Sequence, residues 1–242
     1  MDFEKAERFI WRNGRLLERR IFEFVFHDGT KNNMLRAIKA YQNDDGGFGN
    51  AIEPDLRTPE SQPLYTEFAL RTLYDCNIKD AELANQACDY VALYADLSRG
   101  IPKIFPSSSY FPRAERISSR IYNDSHTILT AFCLLESLPQ TDYVKELFGK
   151  LSSELIQANF FCLEARPQDN GLTPLDFSPL SNSYCRDIFS QTTINEHLKV
   201  MESQQEADGG YLIQWEPPGE MAKLEWRAHK TLKSLITLHF QN

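Results

Sequence analysis

The heptapeptide Gln42-Asn43-Asp44-Asp45-Gly46-Gly47-Phe48 returns as Gln205-Glu206-Ala207-Asp208-Gly209-Gly210-Tyr211, so the pattern Gln-x-x-Asp-Gly-Gly-aromatic occurs twice. Each copy closes a stretch of helical pattern. Such a repeat constrains architecture before any single residue is interpreted, because repeated supersecondary units bury their apolar faces against one another. The residue types also have a local meaning. Gly-Gly permits backbone with φ > 0 and a tight exit from a helix. Asp45 and Asp208 are placed to accept backbone N–H groups within the turn. The Gln amide can bond the next helix end, and Phe48 or Tyr211 packs the turn down. Turn chemistry accounts for every position of the motif.

Around these turns the chain reads as helix. Residues 2–26 form one long pattern, with Phe3, Ile10, Leu17, Ile21 and Phe24 on a single face. Further helical patterns cover residues 34–41, 64–75, 81–94, 127–138, 143–158, 188–204 and 225–240. Thr141 or Asp142 is suited to cap the helix at Tyr143, and Pro63 fits the first turn of the helix at Leu64. Period-two alternation is confined to short candidates at 101–105 and 211–215. The expectation is an all-α chain of antiparallel helical pairs, with long ordered loops at 43–62, 97–122 and 160–186. Weaker echoes of the turn occur at Arg99-Gly100-Ile101-Pro102 and Asp169-Asn170-Gly171-Leu172. No linker divides residues 1–242, so one domain is expected.

Composition narrows the function classes. A net charge of −8 and pI near 5.2 argue against nucleic acid and against anionic membrane as partners. No apolar run approaches the ~20 residues of a membrane span, and no basic and then apolar leader opens the chain. The cysteines Cys76, Cys88, Cys133, Cys162 and Cys185 are odd in number and lack C-x-x-C spacing. That usage fits a reducing cytoplasm better than a disulfide framework or a zinc site.

The Gln-x-x-Asp-Gly-Gly-aromatic motif resembles the QW, or prenyltransferase/squalene-oxidase, repeat of the α/α-toroid superfamily, which contains terpenoid cyclases and protein prenyltransferase β-subunits. The chain looks most like a bacterial group of uncharacterised prenyltransferase-like proteins. The segments that carry this likeness are Asp45-Gly-Gly-Phe-Gly-Asn-Ala-Ile-Glu-Pro-Asp-Leu-Arg57, Ser61-Gln62-Pro63, Leu172-Thr-Pro-Leu-Asp-Phe-Ser-Pro179 and Glu225-Trp226-Arg227. The resemblance implies an α/α toroid, a partial or closed barrel of antiparallel helical hairpins. It also implies an apolar, isoprenoid-type substrate acted on or bound in a central cavity. Fold alone does not fix function, since the same scaffold hosts cyclases, transferases, glycan lyases and thioester proteins.

The sequence departs from each familiar catalytic pattern. Gln42 stands where the Asp-x-Asp-Asp acid of class II cyclases begins, and Asp44-Asp45-Gly46-Gly47 is followed by Phe48 where the class I magnesium motif needs Asp. His126, His197, His229 and His239 have no cysteine or carboxylate at a zinc-ligand spacing, so no metal site is assigned and the cofactor is left open. The cluster with the most chemistry is Glu53-Pro54-Asp55-Leu56-Arg57. Glu53 and Asp55 are the candidate catalytic acid and base, with Arg57 as anion anchor. A capped, salt-bridged loop accounts for the same residues. Asp176, Trp226 and Arg227 are candidate substrate contacts if they converge there, and otherwise capping or first-turn residues. Arg8, Arg12, Arg15 and Arg19 line up as a solvated face or as an anion site. Trp11, Phe48, Tyr65, Tyr110, Phe111, Tyr122, Phe177, Tyr184, Tyr211, Trp215 and Trp226 either seal the core or line a pocket. Three functional readings remain: an isoprenoid enzyme, a glycan-active toroid enzyme resembling a polysaccharide lyase, or a non-catalytic binding protein.

Overall fold

The computed structural model describes residues 1–78, 82–94, 124–137, 140–167 and 171–241. The expectations placed on Arg99–Pro102, the strand candidate at 101–105, Tyr110, Phe111, Tyr122, Asp169, Asn170 and the Tyr184 side chain lie outside them. The described residues are all-α, with isolated β-bridges in place of strands. The strand candidate at 211–215 is a single bridge from Tyr211 to Gln205.

Among the described residues ten helices follow in order: α1 (Phe3–Asn13), α2 (Leu16–Phe26), α3 (Lys31–Lys39), α4 (Pro63–Asp75), α5 (Glu82–Tyr94), α6 (Ser125–Ser137), α7 (Asp142–Leu155), α8 (Pro174–Phe177), α9 (Gln191–Ser203) and α10 (Glu220–Gln241). A short 3-10 turn, Tyr184–Ile188, precedes α9. The single helix expected over 2–26 is two helices. Gly14 is extended (φ −72°, ψ 144°), and the Glu18 carboxylate accepts the Arg15 backbone N–H to start α2 afresh. The apolar spacing continues across this break, which is why periodicity alone joined the halves.

Two classes of helix result. α1, α7 and α9 bury one stripe each, such as Ala6, Phe9 and Ile10 or Val144, Phe148 and Leu155. By contrast α4 is buried along nearly its whole length and α10 over most of its own. α1 packs on α2 and α10, α3 on α2, α5 on α4 and α7 on α6. α10 touches α4, α4 touches α6, α6 touches α8, α8 touches α9, and α9 returns to α10. One continuous apolar cluster runs from Ala6 through Phe68, Phe132 and Phe177 to Ile236.

The two repeat motifs make the same bonds. Gly46 and Gly209 have φ of +85° and +94°, where a side chain would be strained. Asp45 Oδ1 accepts Gly47 N at 2.9 Å, and Asp208 Oδ1 accepts Gly210 N at 3.0 Å. Phe48 N and Tyr211 N donate to the hydroxyls of Thr66 on α4 and Thr231 on α10, at 3.1 and 2.9 Å. Both aromatic rings are fully buried. The glutamine of each copy reaches the start of another helix. Gln42 Nε2 donates to Leu83 O at the start of α5, and Gln205 Nε2 donates to Asp2 O just before α1. A Cβ on Gly46 would meet Gln86 O, and one on Gly209 would meet Lys5 O. Tyr90 then flanks Gly47 as Phe9 flanks Gly210. The N-terminal helix thus sits against the last turn as α5 sits against the first.

Candidate functional site

The loop after the first motif is shaped by its backbone. Asn50 and Ala51 both have positive φ (55° and 63°), an uncommon pair for non-glycine residues. This bend turns the carbonyls of Ala51 and Ile52 onto Arg15 Nη1, at 2.9 and 2.8 Å. Arg15 therefore leaves the expected arginine stripe. Arg8 and Arg12 are exposed, with Arg8 pairing with Glu4 at 3.5 Å. Arg15 points inward and pairs with the fully buried Glu18 through Nη2–Oε1 (2.6 Å) and Nε–Oε2 (3.1 Å).

Glu53 and Asp55 are turned inward, at 8% and 7% exposure. Asp55 Oδ2 accepts the indole N–H of Trp215 at 3.1 Å, across 160 residues of sequence. Arg57, half exposed, donates to Pro54 O at 3.2 Å and forms a close ion pair with Glu225 on α10. Trp226 follows Glu225 and meets Trp215 edge to face at 5.1 Å between ring centres, then Phe68 at 5.8 Å. Tyr65 is buried nearby and donates its hydroxyl to Leu56 O at 2.7 Å. The loop is salt-bridged through Arg57, as the capped-loop reading expects, and Asp55, Trp215 and Trp226 meet beside it.

The remaining candidates divide. Trp226 and Glu225 join the loop, whereas Arg227 does not. Its guanidinium grips Asp208 of the second motif through two 2.8 Å bonds and lies 4.7 Å from the centre of the Phe9 ring. Asp176 lies elsewhere. It closes the α8 capping box, accepting Thr173 N and Oγ1 at 2.8 and 2.9 Å, and it takes Lys233 Nζ at 2.5 Å. Lys233 is eight residues beyond Glu225, about 12 Å along α10 at 1.5 Å per residue.

Between these ends runs a line of charge that sequence reasoning missed. Glu225, His229 and Lys233 repeat every four residues on α10, and Glu67, Arg71 and Asp75 repeat every four on α4, so each set shares one helix face. All of them but Lys233 are classed as buried, and the Lys233 side chain is 14% exposed. Arg71 pairs with Glu67 at 3.5 Å, Lys233 reaches Asp75 at 3.7 Å, and His229 Nδ1 stands 3.6 Å from Glu18 Oε1. The signal was legible: ionisable residues at i, i+4 and i+8 inside helices whose other positions read as core.

This setting pulls protonation states apart. Burial disfavours the charge on Glu18, yet Arg15 and the His229 ring overcome it and hold the carboxyl well below the usual range. Asp176 behaves likewise, with burial outweighed by Lys233 and Arg71. Asp75 shares Lys233 less closely, and burial wins, pushing its carboxyl up. His229 is pushed down to about 4, first by burial and then by the positive fields of Arg71 and Arg15, against the pull of Glu18. It is therefore neutral at pH 7. Among the described residues no three histidine, cysteine or acidic side chains converge to hold a metal ion. No disulfide joins the five cysteines. No helix among the described residues is long and apolar enough to cross a membrane.

No protein-family model and no curated protein matches the chain. A crystal structure of a protein from Actinoplanes is similar to it at 12% identity, with a TM-score of 0.49, over 98% of this chain and 97% of that one. A likeness that distant carries no argument about either fold or function.

Proposed function

We propose that the chain is a single α/α-toroid domain whose inner face takes a polar, hydroxyl-rich ligand of the saccharide class, as a glycan-active enzyme. The helix contacts that run in a circuit through α10, α4, α6, α8 and α9 support the toroid reading, and so does the docking of Gln205 on the N-terminus. The observation that carries the functional reading is the meeting of Asp55 and the Arg57–Glu225 pair with Trp215 and Trp226, on a loop that also buries Glu53. Inward carboxylates supply acid and base groups, and indole faces offer the apolar planes on which sugar rings stack. Glu53 and Asp55 are the acid–base candidates, Arg57 and Trp226 the ligand contacts. Asp176 would act only at the far end of an extended ligand. Arg227 is a structural anchor of the second turn. Five cysteines outside any disulfide favour a reducing, cytoplasmic setting.

An isoprenoid ligand is the second reading. Trp215, Trp226, Phe68 and Tyr65 give it an apolar surface, but the ionisable ladder on α4 and α10 would abut the hydrocarbon at a large desolvation cost. The two readings separate in one experiment. Two of the three tryptophans, Trp215 and Trp226, lie at the site, so intrinsic fluorescence reports occupancy. Titration with neutral and uronate oligosaccharides should change the emission of the native protein and not of Asp55→Asn. A response to geranylgeranyl diphosphate alone would replace the saccharide reading with the isoprenoid one. Binding by native protein without turnover of any oligosaccharide would reduce the enzyme to a binding protein.

A further inference from the structure

The Glu18–His229 pair belongs to no sequence motif and lies outside the loop cluster. Glu18 is fully buried, and both of its oxygens are taken by Arg15. The His229 ring is clamped against Phe68, with 4.5 Å between ring centres at a 34° tilt, and edge-on to Trp226 at 5.6 Å. Its Nδ1 faces Glu18 Oε1 at 3.6 Å, slightly beyond hydrogen-bond length and within reach of a small ring rotation. Trp226 in turn contacts Trp215, whose N–H is bound to Asp55. The ring is thus fixed by side chains that themselves belong to the candidate site.

An ionised carboxylate can only accept a hydrogen bond, so the nitrogen facing Glu18 is the one that carries the proton. That choice leaves Nε2, on the opposite edge of the ring, with its lone pair. We propose that His229 is a further catalytic residue of this site, accepting the proton of a ligand hydroxyl or of a water at Nε2, with Glu18 and Arg15 as positioning residues. In the step the O–H electron pair stays on the ligand oxygen, Nε2 gains the proton, and the imidazolium is held by Glu18 across the ring. Return of the same proton to a departing oxygen restores the neutral base. The charged groups that bear on the ring are Glu18 on α2, Arg15 before it and Arg71 on α4. Arg15 is already neutralised by Glu18, and Arg71 is paired with Glu67. Burial keeps the ring neutral at pH 7, which leaves its lone pair free for the task.

This rests on reading the inner face as a ligand site, but the dyad can be tested without any ligand. Long-range 15N–1H correlation spectra of the five histidines, assigned with His229→Gln, read each tautomer directly. The expected result is a neutral His229 with the proton on Nδ1, still neutral at pH 5. In Glu18→Gln that preference should be lost, with both tautomers populated. Diethyl pyrocarbonate supplies the second readout, since it acylates neutral imidazole at an accessible nitrogen. It should label His229 in the native protein at pH 5, where ordinary histidines are protonated and slow, and about tenfold more slowly in Glu18→Gln. Far-UV circular dichroism establishes that each variant is folded. If Glu18→Gln does not fold, the native tautomer and labelling decide the matter alone. A proton on Nε2, an imidazolium at pH 7, or no labelling of His229 in folded native protein overturns the proposal. Loss of the saccharide fluorescence response with the Nδ1–H tautomer intact would sink the ligand reading and leave the dyad standing.

Discussion

The repeated turns and the charged face between α4 and α10 use polar groups in opposite ways. In the turns the glutamine and aspartate side chains of both copies bind backbone groups. Gln42 and Gln205 bind carbonyls, Asp45 and Asp208 bind glycine N–H groups, and threonine hydroxyls satisfy Phe48 and Tyr211. On the charged face the partners are other side chains from distant helices, and protonation is shifted in both directions. The chain repeats what holds it together and leaves unrepeated what has chemical potential. This difference separates groups that fasten the chain from groups whose protonation the helix packing shifts.

The contrast is breakable. The largest effect is expected from Phe48→Ala or Tyr211→Ala, each costing about 3–5 kcal/mol by loss of a fully buried ring. Denaturant melts should show that cost unchanged between pH 7 and pH 4.5. Lys233→Met should cost a similar amount, about 3–5 kcal/mol, because it strands the Asp176 and Asp75 carboxylates in the interior. Its cost should shrink at pH 4.5, as the stranded acids take up protons. Equal pH dependence in the two variants would erase the distinction between fastener and face.

The acid limb of native stability follows from His229. Its folded-state pKa of about 4 lies below its ordinary 6.5. The unfolded chain therefore binds the extra proton between those values, and stability falls as pH drops through that window. The loss has a ceiling of about 3 kcal/mol at 1.36 kcal/mol per pKa unit. The depressed Asp176 and Glu18 carboxyls add stability that is present above pH 4.5 and lost at lower pH. Melts of His229→Gln should be flatter between pH 6.5 and 4 than those of the native chain. No change in slope would place the ring in water.

Smaller effects sharpen the comparison within the turns. Asp45 is held by the neutral Ser61 hydroxyl at 2.7 Å, whereas Asp208 is held by the Arg227 guanidinium. Replacing Asp208 with Asn should cost about 1 kcal/mol, and the cost should shrink in high salt because the pair is partly exposed. Asp45→Asn should show no salt dependence. The Tyr211 hydroxyl is buried without a hydrogen bond, so Tyr211→Phe should be neutral or stabilising by up to about 1 kcal/mol. A loss on removing that hydroxyl would mean the second turn holds a partner the first turn lacks.

The helices and turns were legible because their signals are local. Thr141 does cap α7, accepting Val144 N at 3.3 Å, and Pro63 does open α4. The break at Gly14 was missed because the apolar spacing passes through it, and only the Glu18 contacts mark the restart. Glu53, Asp55 and Arg57 were legible as a cluster of ionisable residues. Their partners Trp215 and Glu225 lie more than 150 residues away, and nothing local announces the pairing. Arg227 shows the converse: beside Trp226 in sequence, it turns to the opposite task because adjacent helical residues point about 100° apart.

What the sequence determined by itself was the helical class and the two Gly-Gly turns with their aspartates. These depend on backbone conformation and bonds within a few residues, which glycine, proline, threonine and aspartate specify directly, whereas each glutamine finds its helix start at a distant position in the chain. What only the tertiary structure decided was which charges share an environment. Glu18, Arg71, His229 and Lys233 look like ordinary polar residues of four-residue spacing until α2, α4 and α10 are packed together. Their protonation then depends on burial and on fields from other helices, and both arise only when the helices close on one another.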